Sequence, residues 1–176
     1  MIHTTRIKTP VGDMLAAATD DGICMLDYEY RKMLPSIKKR VSNYLRSDFV
    51  EQEHPLFEDL KKQLDEYFAG ERTDFDLPLI FSGTDFQQAV WKALQQIPYG
   101  KTRTYMEQAK LLGDTNAIRA VARANGENSL GIIVPCHRVI GSDGSLTGYA
   151  GGLRAKKWLL EHEAKYAGAA IQQAMF

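Results

Sequence analysis

The runs Ile2–Thr9, Met14–Thr19 and Ile23–Tyr28 are short and rich in apolar or β-branched residues. Pro10-Val11-Gly12-Asp13 and Asp20-Asp21-Gly22 separate them as turn signals, so the pattern predicts three short antiparallel strands. The period then lengthens. A helix is predicted from Ser36 to Arg46, with Ile37, Val41, Tyr44 and Leu45 on one stripe, and a second from Pro55 to Ala69. Leu60, Leu64, Tyr67 and Phe68 form the apolar face of that second helix, and Gly70 stops it. Residues 70–84 read as a joint, which divides the chain into an α/β unit (1–80) and a mostly helical unit (81–176).

The helical unit carries its own punctuation. Thr84 with Gln87, and Thr104 with Glu107, have the spacing of capping boxes. Phe86, Val90, Leu94 and Ile97 make one face of the first helix, which ends at Pro98-Tyr99-Gly100. A short helix after Thr104 stops at Gly113, and another runs from about Thr115 to Asn125. Joined by Leu112-Gly113-Asp114, these two form a helix-turn-helix pattern, a spacing that many helix pairs without a ligand also show. Ala117, Ala120, Val121 and Ala124 give the last helix a slim side, while Arg119 and Arg123, four apart, share another.

Composition narrows the classes. With 176 residues, 44% hydrophobic and 25% charged, the chain is an ordinary globular protein, neither disordered nor fibrous. Formal net charge is zero, which excludes a globally basic nucleic-acid binder but not a local basic face. The charge is unevenly spread: residues 41–80 hold four basic and ten acidic side chains, and residues 101–140 hold six basic and three acidic. Two cysteines, Cys24 and Cys136, are too few for a zinc site built of thiolates alone. No secretory leader pattern and no membrane-length apolar run is present, so a reduced, cytoplasmic protein is expected.

The chemistry concentrates in Gly131-Ile132-Ile133-Val134-Pro135-Cys136-His137-Arg138-Val139-Ile140. A short apolar strand is predicted to run into Pro135, with the proline fixing the backbone before Cys136. A thiol needs a neighbouring base or positive charge to act as a nucleophile, and His137 is adjacent in sequence. Neighbouring side chains often point apart, so a relay between the two can require a bridging water. His137 also needs a partner to fix its tautomer, and Glu163 is the available acid. A Cys-His pair is also compatible with a plain structural role, and no further Cys or His lies at metal-ligand spacing.

Pro135-Cys136-His137-Arg138-Val139, with Gly148-Tyr149-Ala150-Gly151-Gly152 and Trp158-Leu159-Leu160-Glu161-His162-Glu163, resembles the O6-alkylguanine-DNA alkyltransferases of the bacterial stand-alone type. Arg119-Ala120-Val121, Asn128 and Tyr105 extend the match over most of residues 84–163. In the first half only Thr9-Pro10-Val11-Gly12 and Tyr67-Phe68-Ala69-Gly70 contribute. The resemblance implies a ribonuclease-H-like α/β unit followed by a winged helix-turn-helix unit. It implies single-turnover transfer of an alkyl group from O6-alkylguanine, with O4-alkylthymine as a second candidate, to Cys136. His137 would take the thiol proton through water, Glu163 would orient His137, Tyr105 would donate a proton to the guanine, and Asn128 would brace the turn. The base would sit against Val139, Tyr149 and Ala150. Arg119 would be the finger that replaces a flipped nucleotide, with Arg123, Ala120, Ala124 and Arg138 on the DNA-facing side. The implied partner is the minor groove of double-stranded DNA carrying alkylated bases, met by a monomer without cofactor or metal. Two other classes fit parts of the pattern: a lesion-binding module without chemistry, and a cysteine hydrolase or acyl transferase, for which no oxyanion-hole motif is visible.

Overall fold

The structure is a computed structural model that describes residues 1–174, with side-chain detail through residue 168. Strands β1 (Ile2–Thr9), β2 (Gly12–Thr19) and β3 (Gly22–Tyr28) pair antiparallel, as the turn signals predict. A fourth strand, β4 (Phe49–Glu51), adds parallel to β1, giving the order β3-β2-β1-β4. Three residues are too few to show a period, so β4 is absent from the sequence reading and the sheet is mixed rather than purely antiparallel.

Helix α1 (Leu34–Leu45) starts two residues earlier than predicted, because Pro35 is accommodated in its first turn. Ile37 and Val41 are buried but Tyr44 lies outward. Helix α2 (Pro55–Phe68) buries Phe57, Leu60, Leu64 and Tyr67. Its N-cap is His54, whose Nδ1 accepts from the Leu56 amide at 3.1 Å. Helix α3 (Asp85–Leu94) opens on the Thr84/Gln87 capping box. Phe86 is exposed, and Trp91 takes the inner position with Val90 and Leu94.

The two-residue strands β5 (Arg103–Thr104) and β6 (Val139–Ile140) pair parallel beside helices α4 (Tyr105–Leu111) and α5 (Ile118–Gly126). The Thr104/Glu107 box caps α4, and Thr115–Ala117 form a 3-10 turn ahead of α5. Helix α6 (Leu153–Ala174) closes the molecule, and no helix of the described residues is long and apolar enough to cross a membrane.

One feature of this topology places the site. β3 is an edge strand, and a bare edge exposes unpaired N–H and C=O groups. Here the edge is covered from two directions. The Ile23 amide bonds the Pro78 carbonyl and the Ile80 amide the Ile23 carbonyl, at 2.8 and 2.9 Å. The Leu26 amide bonds the Ser129 carbonyl and the Gly131 amide the Leu26 carbonyl, both at 2.8 Å. The segment leading to Cys136 is thus seated on the first sheet, and one apolar core runs from β2 and α2 through α3 to Leu159 of α6.

Candidate active site

Gly131–Val134 is not the strand that its apolar run predicts. It folds as a turn, with Ile132 in the left-handed region at φ 68°. For a β-branched residue that conformation costs about 1–3 kcal/mol and persists only where its surroundings enforce it. Asn128 supplies much of the enforcement. Its Oδ1 accepts from the Leu130 amide at 2.9 Å, and its Nδ2 donates to the Val134 carbonyl at 3.0 Å and to Cys136 Sγ at 3.3 Å. The buried amide therefore closes the turn and touches the sulfur. Cys136–Arg138 follow as one turn of 3-10 helix.

Cys136 is nearly buried and forms the floor of a cavity of about 430 Å³, a volume typical of small-molecule sites. Tyr105 and Asn125 line it on one side and Gly148, Tyr149 and Ala150 on another. The third wall, Tyr30–Met33, comes from the β3–α1 connection. Burial raises the Cys136 thiol above its ordinary value, with the Asn128 hydrogen bond and the Lys156 charge opposing it. The resting group is thus a thiol that needs a base. Both cysteines are free. Cys24, inside β3, is pushed up to about 12 by burial and is inert.

Behind the thiol lies a closed ionic cluster. His137 Nε2 donates to Glu163 Oε2 at 2.7 Å. Arg138 brackets the same carboxylate, Nε to Oε1 at 2.7 Å and Nη2 to Oε2 at 3.0 Å, and its Nη1 donates to the Ile97 carbonyl at 2.8 Å. Tyr67 of α2 donates its hydroxyl to Oε2 at 2.6 Å. Burial opposes ionisation of Glu163, but the His137 ring and the Arg138 guanidinium outweigh it and hold the carboxyl well below the usual carboxylate range. His137 is pushed below the ordinary histidine range by burial. It is neutral, with its proton on Nε2, and Nδ1 is left as an acceptor with no protein partner among the described residues.

The structure corrects two of the DNA-facing expectations. Arg138 is buried, and its bonds go to Glu163 and Ile97. Its place on the DNA-facing side was implied by the resemblance, and sequence shows charge and not burial. Ala124 is also interior, and its carbonyl accepts from Trp91 Nε1 at 2.8 Å. The slim side is therefore split: Val121 and Ala124 pack inward, while Arg119, Ala120, Ala122 and Arg123 are exposed. Ala122, which also lines the cavity, escaped the sequence reading. Arg123 makes only a loose 3.7 Å pair with Glu127.

Tyr105 donates its hydroxyl to the Thr147 carbonyl at 3.0 Å, and Tyr149 shares a 2.7 Å hydrogen bond with Tyr28. Val139 is buried in β6 and is not among the residues lining the cavity. Lys156 was missed. It is fully buried, and Nζ donates to the Thr147 and Gly148 carbonyls at 2.9 and 3.1 Å, pinning the loop before Tyr149. A signal was available: Lys156, Leu159 and Glu163 stand at i, i+3 and i+7 on one helix face. Gly100 also belongs here. It has φ +77°, and a Cβ on it would meet Ala167 Cβ at 2.5 Å, so only glycine lets this turn pack on α6 beside Glu163.

Comparison with known proteins decides the family. Residues 2–81 match the family model described as 6-O-methylguanine DNA methyltransferase, ribonuclease-like domain, and residues 85–165 match the one described as its DNA binding domain. The chain belongs to the 6-O-methylguanine DNA methyltransferase family. Among relatives, the methylated-DNA–protein-cysteine methyltransferase of Methanosarcina barkeri is 47% identical over 89% of this chain and 94% of its own length. The constitutive methylated-DNA–protein-cysteine methyltransferase of Bacillus subtilis is 44% identical over 93% of this chain and 96% of its own. The crystal structure of Mycobacterium tuberculosis OGT in complex with DNA superposes with a TM-score of 0.83 at 44% identity, covering 93% of this chain and 94% of that one. The ribonuclease-like first half and the helical, DNA-binding second half expected of this methyltransferase family agree with these matches.

Proposed function

We propose that this protein repairs alkylated DNA by moving an alkyl group from O6 of guanine to Cys136, once and irreversibly. The observation that carries the reading is Cys136 at the floor of a cavity, with the Asn128 amide on its sulfur and the His137–Glu163–Arg138 cluster behind it. The M. tuberculosis relative crystallised in complex with DNA supports DNA as the partner.

In this mechanism the Cys136 S–H proton passes through a water to His137 Nδ1, and Glu163 holds the ring so that Nδ1 is the free acceptor. Sulfur forms a bond to the alkyl carbon as the carbon–O6 bond breaks, and its electron pair goes to the guanine. The Tyr105 hydroxyl turns from Thr147 to donate to the departing base. The proton that reaches guanine is the one from Tyr105, whose phenolate then regains a proton from solvent while the His137 imidazolium releases the thiol proton to it. One proton leaves the thiol, one reaches guanine, and no co-reactant is consumed. The product is a thioether without a carbonyl for water to attack, so the protein is spent. Ala150 and Tyr149 bound the base pocket, and the same pocket would admit O4-alkylthymine.

A base stacked in a duplex cannot reach a buried thiol, so the nucleotide is flipped out, at a cost of a few kcal/mol. Arg119, exposed on α5, fills the gap. Ala120 and Ala122 let the helix approach the floor of the narrow minor groove, and Arg123 faces phosphate. The division at residues 80/81, action as a monomer and a cytoplasmic setting belong to the same reading.

The test compares Arg119→Ala with the parent on a duplex holding one O6-methylguanine and on free O6-benzylguanine. Slow repair of the duplex with normal reaction of the free base is expected. Equal losses on both substrates would remove the flipping role.

A further inference from the structure

We infer that Tyr67, contributed by the first half of the chain, is a positioning residue for alkyl transfer: its hydroxyl fixes Glu163 Oε2 and so sets the orientation and basicity of His137. The inference rests on the reading of Cys136 and His137 given above.

Glu163 is buried, and its oxygens have few donors to choose from. Oε1 takes Arg138 Nε and, at 3.5 Å, the Gly100 amide. Oε2 takes His137 Nε2, Arg138 Nη2 and Tyr67. The Tyr67 contact, at 2.6 Å, is the shortest of these, and it spans 96 residues of sequence. Burial, followed by the neighbouring Glu163 charge, raises the Tyr67 phenol far above its ordinary value. The phenol therefore stays protonated, and toward the ionised carboxylate it donates. The Tyr67 backbone carbonyl accepts from His162 Nε2 at 2.8 Å, so α2 grips α6 at two successive residues.

A donor on a carboxylate spreads its charge and limits its rotation. With the Tyr67 hydroxyl present, Oε2 is shared, and its pull on the His137 Nε2 proton is reduced. Without it, Glu163 turns more of its charge toward His137, the imidazolium is favoured, and His137 becomes a poorer acceptor for the thiol proton at low pH. The groups facing His137 and Glu163 are Tyr67, Arg138 and the Gly100 amide, the Lys156 charge and the Tyr149 ring, 6.3 Å from the His137 ring, and, more distantly, Tyr99, whose ring lies 5.7 Å from the Arg138 guanidinium. The Tyr99 hydroxyl is buried without a hydrogen-bond partner among the described residues, which makes it a matched control for loss of a phenol at the same place.

Tyr67→Phe keeps the ring among Phe68, Phe75 and His162 and deletes only the donor. The experiment measures the His137 titration by NMR and the pH dependence of single-turnover alkyl transfer, in the full chain, for the parent, Tyr67→Phe, Tyr99→Phe, Glu163→Gln and the double variant Tyr67→Phe/Glu163→Gln. In Tyr67→Phe the His137 midpoint and the acid limb of the rate should rise together by about one pH unit, which slows transfer about tenfold on that limb. Tyr99→Phe should move neither. In the Glu163→Gln background, Tyr67→Phe should add no further shift. Unmoved midpoints in Tyr67→Phe, with only a loss of thermal stability, would reduce Tyr67 to packing and overturn the inference. A parent protein that never alkylates Cys136 would overturn the proposed function instead, while the His137 titration would still decide the Tyr67 link.

Discussion

Arg138→Gln separates two roles for one cation. In the structure Arg138 spends two nitrogens on Glu163 and a third on the Ile97 carbonyl, all out of solvent. Removing one partner of a buried ion pair leaves an uncompensated charge and costs about 3–5 kcal/mol. In a chain of this size each kcal/mol lowers Tm by about 2–4 °C, so Tm should fall by about 6–20 °C. The double variant Arg138→Gln/Glu163→Gln removes both charges and should be less destabilised than the sum of its parts, because the two sites are coupled. Had Arg138 been a phosphate contact, its loss would leave Tm nearly unchanged and lower the slope of log affinity against log salt by about 0.9. Thermal unfolding and a salt series of duplex binding read both quantities on the same samples. An unchanged Tm with a reduced salt slope would refute the reasoning.

Stability should also depend on acid in a specific way. His137 is neutral in the folded chain below its ordinary value of about 6.5, so the unfolded chain binds the extra proton and stability declines as pH falls through that value. Glu163 has its folded pKa depressed, so its contribution is present above about 4.3 and is lost as pH falls further. Urea midpoints from pH 8 to pH 3 should show both legs, and Glu163→Gln should lose the lower one. A profile flat down to pH 4 would contradict the burial of His137. Asn128→Ala leaves the buried Leu130 amide without its partner, a loss of about 1–3 kcal/mol, takes one of two donors from the Val134 carbonyl, which keeps the Cys136 amide, and frees the left-handed turn at Ile132. It should destabilise the chain and slow single-turnover transfer, whereas retained kinetics would show that the turn holds itself.

Periodicity and turn chemistry carried most of the fold. Both capping boxes form, and β1 spans the residues that its run predicts. What escaped was set by distant partners. β4 is three residues long and exists because β1 offers an edge. Gly131–Val134 looked like a strand because it is apolar, but Asn128 and the β3 edge bend it into a turn. At the site, Cys136, His137 and Glu163 were legible from neighbourhood and resemblance. Arg138 was placed on the DNA-facing side because the ion pair that buries it lies 25 residues away. Lys156 and Tyr67 were hidden for a related reason. A buried lysine among carbonyls and a phenol on a carboxylate are properties of an assembled cluster, and neither leaves a local pattern beyond a helical face. The acidic first half, silent in the sequence, supplies a wall of the cavity through Tyr30–Met33 and a hydroxyl to the ionic cluster.

The most direct test of the central claim is mass. The protein is mixed with a duplex holding one O6-methylguanine, and intact and peptide masses are recorded against time. The account predicts a gain of one methyl group, on Cys136 alone, capped at one per chain however much duplex is supplied. An unmodified Cys136 in a protein that still holds the duplex would contradict it.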